Sequence, residues 1–461
     1  MTESNRLLVD VSGDTGSRVR GWRPDAVTVT SIFVLLTYAM SQQLVFAPMG
    51  AAGRPAMLGG LAMAVWWLLT RFHPDLVLHG WQPVRALILL VVAVRVLAYA
   101  MGYDRGLDGL EAAAADREML LALSMAGVAL CIADGVRSRA RLDVLIGRIV
   151  LAGAFMALVG IIQFFAKFDL SQYLVLPGLS WHTTVFAIGE RGEGVARVAG
   201  TARHYIEFGA ACGMLVPLAI HRARFAPTRG RAQARWVSAG LLAAAVPMAV
   251  SRTGILALAL SLGVYSVVWG WRSRFNAAAL AFCAAVMFAG VVPGLLGTLA
   301  KLFLNASEDP SVLARQEDYA PTMAYVADRP WFGRGPGTFL PDRYILLDNQ
   351  YLYTLVTEGY VGLAALILLY AGAIILTLRI GRRAADAETR DLAQALLALF
   401  VVAAVVSGTF DSFSFAVFTA SLFLALGCAG ALWRLRAEPA EPGIPAARSR
   451  AVAPAGRGRA R

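Results

Sequence analysis

The sequence predicts an all-α fold: a polytopic integral membrane protein of about twelve transmembrane helices, with a large external loop between the ninth and tenth. Three observations predict it. Of the 461 residues 58% are hydrophobic and only 16% charged, too few charges to cover the surface of a soluble domain of this length. The apolar residues come in blocks, many approaching or exceeding the roughly 20 residues that cross a bilayer as a helix. The arginines gather in alternate connections between these blocks, as the positive-inside preference demands.

Taken in order, residues 1–25 are polar and form a cytoplasmic N-terminal segment. No cleavable secretion signal is evident, and the first apolar run is long enough to be retained as a span. The expected spans are 26–47, 56–70, 84–101, 118–134, 143–165, 204–220, 236–250, 253–270, 276–300, 351–378, 393–410 and 413–433, within a transmembrane domain of residues 26–435. The cytoplasmic connections then hold Arg18, Arg20 and Arg23; Arg137, Arg139 and Arg141; Arg222 to Arg235; Arg272 and Arg274; and Arg379, Arg382 and Arg383. The 102–117 connection is acidic and external. An even number of spans returns the C-terminus to the cytoplasm, where residues 436–461, rich in Ala, Pro and Arg, form a disordered basic tail. Both termini are thus cytoplasmic, and the expected location is the bacterial cytoplasmic (inner) membrane.

Two external loops stand out by length, 166–203 and 301–350; loops this long are usually functional. No internal repeat of the kind that builds transporters from duplicated halves is evident. The net charge of +12 does not mark a nucleic-acid binder, because its arginines lie in short loops between apolar runs and not on one soluble face. Cys131, Cys212, Cys283 and Cys428 sit singly in apolar segments and make neither a disulfide framework nor a metal site.

External arginines run against the charge bias and need a reason. They are Arg197 and Arg203 at the end of the first loop, Arg252 between two spans, and Arg315 and Arg334 in the second loop. Arg252 joins two hydrophobic helices almost without a linker. It is either a snorkelling anchor or an anion clamp, and a guanidinium binds phosphate bidentately without losing its charge. Arg95 lies mid-span and serves a structural ion pair or a substrate contact. Residues from Ser311 through Val326 have the spacing of an amphipathic helix, on which Arg315 pairs locally or points into a cavity. The glycines of Pro330-Trp331-Phe332-Gly333-Arg334-Gly335-Pro336-Gly337 do not make a P-loop, since no Gly-Lys-Ser/Thr follows, and tight turns are the simpler reading. Asp348 precedes the tenth span, as a helix cap or as a carboxylate able to take a proton from a hydroxyl. Glu358, inside that span, needs a partner and is expected to bind an arginine. His182 and His204 are further external candidates for a base.

Four pieces together resemble the O-antigen ligase / O-antigen polymerase family of bacterial membrane glycosyltransferases: Arg197-Val198-Ala199-Gly200-Thr201; Ser251-Arg252-Thr253-Gly254; Arg315 with the Pro330–Gly337 segment; and Asp348-Asn349-Gln350-Tyr351-Leu352 through Glu358-Gly359-Tyr360-Val361-Gly362. The likeness covers roughly residues 195–410. It implies transfer of a glycan from a polyprenyl-diphosphate carrier to an acceptor hydroxyl on a glycan or lipid at the outer face of the membrane, with neither metal nor other cofactor, and with envelope-assembly proteins as further partners. It also implies that Arg197, Arg252 and Arg315 bind the diphosphate; Arg203 and Glu358 are further substrate-binding candidates and Asp348 the catalytic one. Where the ligases carry a histidine before the Asn, this chain carries Asp348, which fits a polymerase or another acceptor better than ligation to lipid A core. The competing readings are a transporter of a small anion such as bicarbonate and an envelope scaffold.

Overall fold

A computed structural model describes residues 25–72, 80–182, 188–191, 195–291, 294–304, 313 and 317–435. Within them the chain is a helical bundle. The helices are α1 (Ala26–Tyr38), α2 (Pro55–Thr70), α3 (Pro83–Tyr103), α4 (Gly109–Gly135), α5 (Arg139–Ala166), α6 (Tyr205–Arg224), α7 (Arg229–Met248), α8 (Arg252–Ser266), α9 (Trp271–Val291), α10 (Leu295–Leu304), α11 (Tyr319–Asp328), α12 (Gln350–Arg383), α13 (Ala387–Val406) and α14 (Ala416–Leu435). Seven of these, α3 to α6 and α12 to α14, are long and apolar enough to cross a membrane, and α1, α2 and α8 are shorter apolar helices. The chain is a multi-pass membrane protein.

Polar side chains fix where helices begin. Asp25, Asp108, Ser138, Thr228, Ser251, Asn349 and Asp386 each accept a backbone N–H from the first turn that follows, the usual N-cap contact. The Asp108 cap starts α4 at Gly109, so much of the acidic stretch expected to be a connection is helix. The first expected span, 26–47, stops as a helix at Tyr38. Gln42 folds its amide back onto the carbonyls of Leu36 (3.1 Å) and Thr37 (2.7 Å), satisfying groups the helix end leaves open. Leu44–Val45 then pairs antiparallel with Ser180–Trp181, and Ile188–Arg191 with Val195–Val198. Leu44–Val45 falls at the end of the expected first span, and the other three strands lie on the chain that the sequence reading left as an external loop.

Small residues let helices meet closely, as membrane helices require when lipid is as apolar as their side chains. A Cβ on Gly254 of α8 would sit 3.0 Å from the Cα of Gly209 on α6, so these backbones touch. The polar contacts fall into two groups at opposite ends of the bundle. At one end, Asp134 binds Trp67, Arg71 and Arg85, Asp25 binds Arg141 at 2.6 Å, and Asp391 accepts from Tyr265 (2.6 Å), His221 (2.9 Å) and Arg224. The arginine-rich connections 137–141 and 222–235 belong to this end. At the other end lie residues 41–54, 103–118, 195–205 and 330–350 and the turn between α13 and α14.

Candidate functional site

The end of the bundle away from the arginine-rich connections encloses a cavity of about 470 Å³, within the ordinary range for a small-molecule site. The N-terminus of α2, the middle of α4, the segment before α6, residues 337–347 and the α13–α14 turn enclose it. Its apolar wall includes Met57, Leu121, Met125, Phe339, Leu347 and Phe415. Its charged and titratable wall comprises Arg54, Arg117, Arg203, Glu118, Asp411, His182, His204 and Tyr353.

Burial and neighbouring charge set the protonation of this wall. Burial, with the Asp348 carboxylate and Glu118 adding repulsion, raises Asp411 from the usual carboxylate value to about 7, against a hydrogen bond from Ser414 that favours the ion. Burial, with Arg197 and Arg203, lowers His204 to about 4, so its imidazole is neutral at physiological pH. Its ring nitrogen is used already, accepting the Ile206 N–H at the start of α6 (3.3 Å). Burial also lowers Arg54 to about 10, helped by Arg203 and Arg117.

Of the residues picked out from sequence, Arg203, His182 and His204 line this cavity. Asp348 stands beside it: its neighbours Leu346 and Leu347 form the wall, and its charge is felt at Asp411. Arg197 is buried on the strand Val195–Val198, its guanidinium 3.2 Å from the centre of the Tyr205 ring and its Nε donating to the Ala249 carbonyl (3.4 Å). That carbonyl is in the α7–α8 turn, immediately before Arg252, the first residue of α8. Val250 in this turn has φ 45°, a left-handed conformation that β-branched residues rarely adopt, so packing, not local preference, holds the turn. Thr253 next to Arg252 meets Thr409 at 3.0 Å, which brings the turn against the end of α13. Arg315 lies outside the described residues.

Glu358 has the arginine partner expected of it. Its Oε1 accepts Arg95 at 2.8 Å, and the same guanidinium approaches Glu118 at 3.9 Å. All three side chains are nearly buried. Arg95 thereby ties α12 to α3 and to a carboxylate of the cavity wall.

Glu358 also sits where α12 breaks. Gly359 has φ 69° and ψ −168°, which removes the helical bonds from Tyr360 N–H to Val356 and from Val361 N–H to Thr357. The glycine-rich loop replaces both. Arg334 N–H donates to Val356 O (3.0 Å) and Gly335 N–H to Thr357 O (2.9 Å), while Tyr360 and Val361 N–H donate to Pro330 O (2.8 Å) and Trp331 O (3.1 Å). The loop is spliced into the helix, so every group freed by the break is paired, as an irregular backbone at membrane depth must be. Two of the loop N–H groups that could have cradled a phosphate are therefore spent on α12. Arg334 itself stacks near Tyr344 and Tyr325 and donates to the Tyr344 hydroxyl (2.8 Å), which in turn donates to Glu111 (2.7 Å).

The sequence reading missed Arg54, Arg117, Glu118 and Asp411. Arg54 and Arg117 flank apolar runs as ordinary interface arginines do, and Asp411 looks like a turn residue. Only Asp411, the one charged residue in the stretch 393–433, was a signal available beforehand.

The fold and the cavity define a class: a multi-pass membrane protein with a charged pocket at one end of its bundle. Residues 237–367, from the middle of α7 through the break in α12, match the family model described as O-antigen ligase. This segment is similar to that family, in agreement with the resemblance carried by the motifs from Ser251 to Gly362. No curated protein matches the chain.

Proposed function

We propose that this protein transfers a glycan from a polyprenyl-diphosphate carrier to an acceptor hydroxyl at the outer face of the bacterial cytoplasmic membrane, as a polysaccharide polymerase or an O-antigen-ligase-like transferase. The observation that carries the reading is one cavity, in a chain with a segment similar to the O-antigen ligase family, lined by arginines and by a carboxyl group poised near neutral pH. In this reading the bundle crosses the membrane about twelve times, the cavity end faces outward, and the arginine-rich end and both termini face the cytoplasm.

The chemistry combines carboxyl groups at the cavity with the arginines that the motifs single out. The acceptor oxygen attacks the anomeric carbon, the bond from that carbon to the phosphate oxygen breaks, and the lipid diphosphate leaves with the electron pair. Asp411 and Asp348 act as a coupled carboxyl pair that takes the hydroxyl proton; a base with a pKa near the working pH is the most effective. Negative charge grows on the leaving diphosphate, and Arg197, Arg203, Arg252 and Arg315 stabilise it without reorganising. Arginines, not a metal ion, supply the positive charge in this scheme. Glu358, held by Arg95, sets the course of α12 over the cavity and is a positioning residue. The match to the O-antigen ligase family model favours this reading over carriage of a small anion.

The test is the glycan profile of a strain carrying Arg252→Ala at normal protein level. Loss of one such contact costs on the order of 100–1,000-fold in rate, so product should vanish. Arg252→Lys should be nearly as harmful, because lysine cannot reproduce a bidentate grip. Shortened chains of one repeat in the mutant indicate a polymerase; long chains left on the carrier indicate a ligase. Normal product from Arg252→Ala overturns the reading.

A further inference from the structure

We propose that Arg54 and Arg117, together with Arg203, form an oxyanion-binding site in the cavity that takes a phosphate or carboxylate group of the substrate. The site deepens the glycan-transfer reading and rests on it for the identity of the substrate, but not for the presence of an anion. Arg54 and Arg117 both lie outside the matched segment 237–367.

Three observations carry it. First, all three guanidinium-bearing residues line the same 470 Å³ space, and like charges gathered in a partly dry pocket repel unless something negative offsets them. Second, the two acids whose charge reaches Arg54, Glu207 and Glu118, are engaged elsewhere. Glu207 is fully buried, and its two carboxylate oxygens accept the backbone N–H groups of Arg203 (2.9 Å) and Val417 (2.6 Å). Glu118 turns toward Arg95. Among the described residues no carboxylate comes within ion-pair distance of the Arg54, Arg117 or Arg203 side chain. Third, Nε of Arg54 is buried and has no hydrogen-bond partner. A buried donor left unmade is costly, and in a pocket it is the mark of a group waiting for an acceptor. The lowered Arg54 value, caused by burial and by its two arginine neighbours, points the same way.

Tetrahedral phosphate and planar carboxylate both suit guanidinium forks. The phosphate source is the diphosphate of the lipid carrier, and the carboxylate source is an acidic sugar in the transferred glycan or acceptor. The full-length protein in lipid nanodiscs is titrated with inorganic pyrophosphate and, separately, with glucuronate, and binding is read by calorimetry and by thermal unfolding. Wild type binds at least one of the two, and added salt weakens the binding. Arg54→Gln and Arg117→Gln weaken it by roughly tenfold or more, while Arg117→Lys, which keeps the charge, weakens it less. Pyrophosphate alone assigns the site to the carrier; glucuronate assigns it to an acidic sugar. The proposal falls if wild type binds neither probe, or if both glutamine variants, eluting as wild type does on size exclusion, bind as wild type does. Anion binding at this site in a protein whose deletion leaves the cell's glycans unchanged keeps the site and rejects the glycan-transfer reading.

Discussion

At the scale of single residues, the cavity turns on a carboxyl group whose pKa is moved by where it sits. Asp411 lies in the short connection between two apolar helices, and burial holds its proton until about pH 7. A base must be unprotonated to act, so turnover of a lipid-linked glycan by the purified protein should rise with pH through about 7 and level off above it. Asp411→Asn should lower the rate by about 100-fold or more and abolish that limb. Asp348→Asn removes a negative neighbour that disfavours ionisation, so the limb should move to lower pH. His204, already neutral above about pH 4, should contribute no limb of its own. An unchanged pH profile in Asp411→Asn would show that another group is the base.

Among the elements, α12 and the glycine-rich loop behave as one unit. Gly359 takes a backbone conformation that L side chains avoid, and a Cβ there would lie 2.3 Å from the Trp331 carbonyl. From the other side, a Cβ on Gly333 would lie 2.4 Å from the carbonyl carbon of Thr357. The glycines that suggested a phosphate loop or a tight turn thus serve close approach of two backbones. Gly359→Ala should lower the unfolding temperature in detergent, at a cost of about 1–3 kcal/mol for the strained conformation alone. Gly381→Ala in the same helix, where a Cβ meets only ordinary contact at 3.6 Å, should be neutral or slightly stabilising. Equal stability of the two variants would contradict the splice.

For the whole molecule, the separation of arginine-rich connections from the cavity sets an orientation that labelling can read. With Cys283 replaced by serine, exposed Leu346 near the cavity and exposed Gln233 at the opposite end are each changed to cysteine. In spheroplasts a membrane-impermeant maleimide should label Leu346→Cys directly and Gln233→Cys only after permeabilisation. The reverse pattern would place the cavity toward the cytoplasm, where no outward-facing glycan could reach it.

Composition and arginine spacing alone determined that this chain is a helical membrane protein, because the cost of bare charge and unpaired backbone in lipid is written into every span. The motif order alone disclosed its likeness to the O-antigen ligases, and a mid-span Glu358 announced that it needed a partner. Which arginine that partner would be, Arg95 on α3, was decided only by packing across 263 positions of sequence. The tertiary structure alone also brought Arg54, Arg117 and Asp411 into one space. Each looks ordinary beside its neighbours in the chain, and its character comes from burial and from charges contributed by other helices, neither of which a linear sequence states.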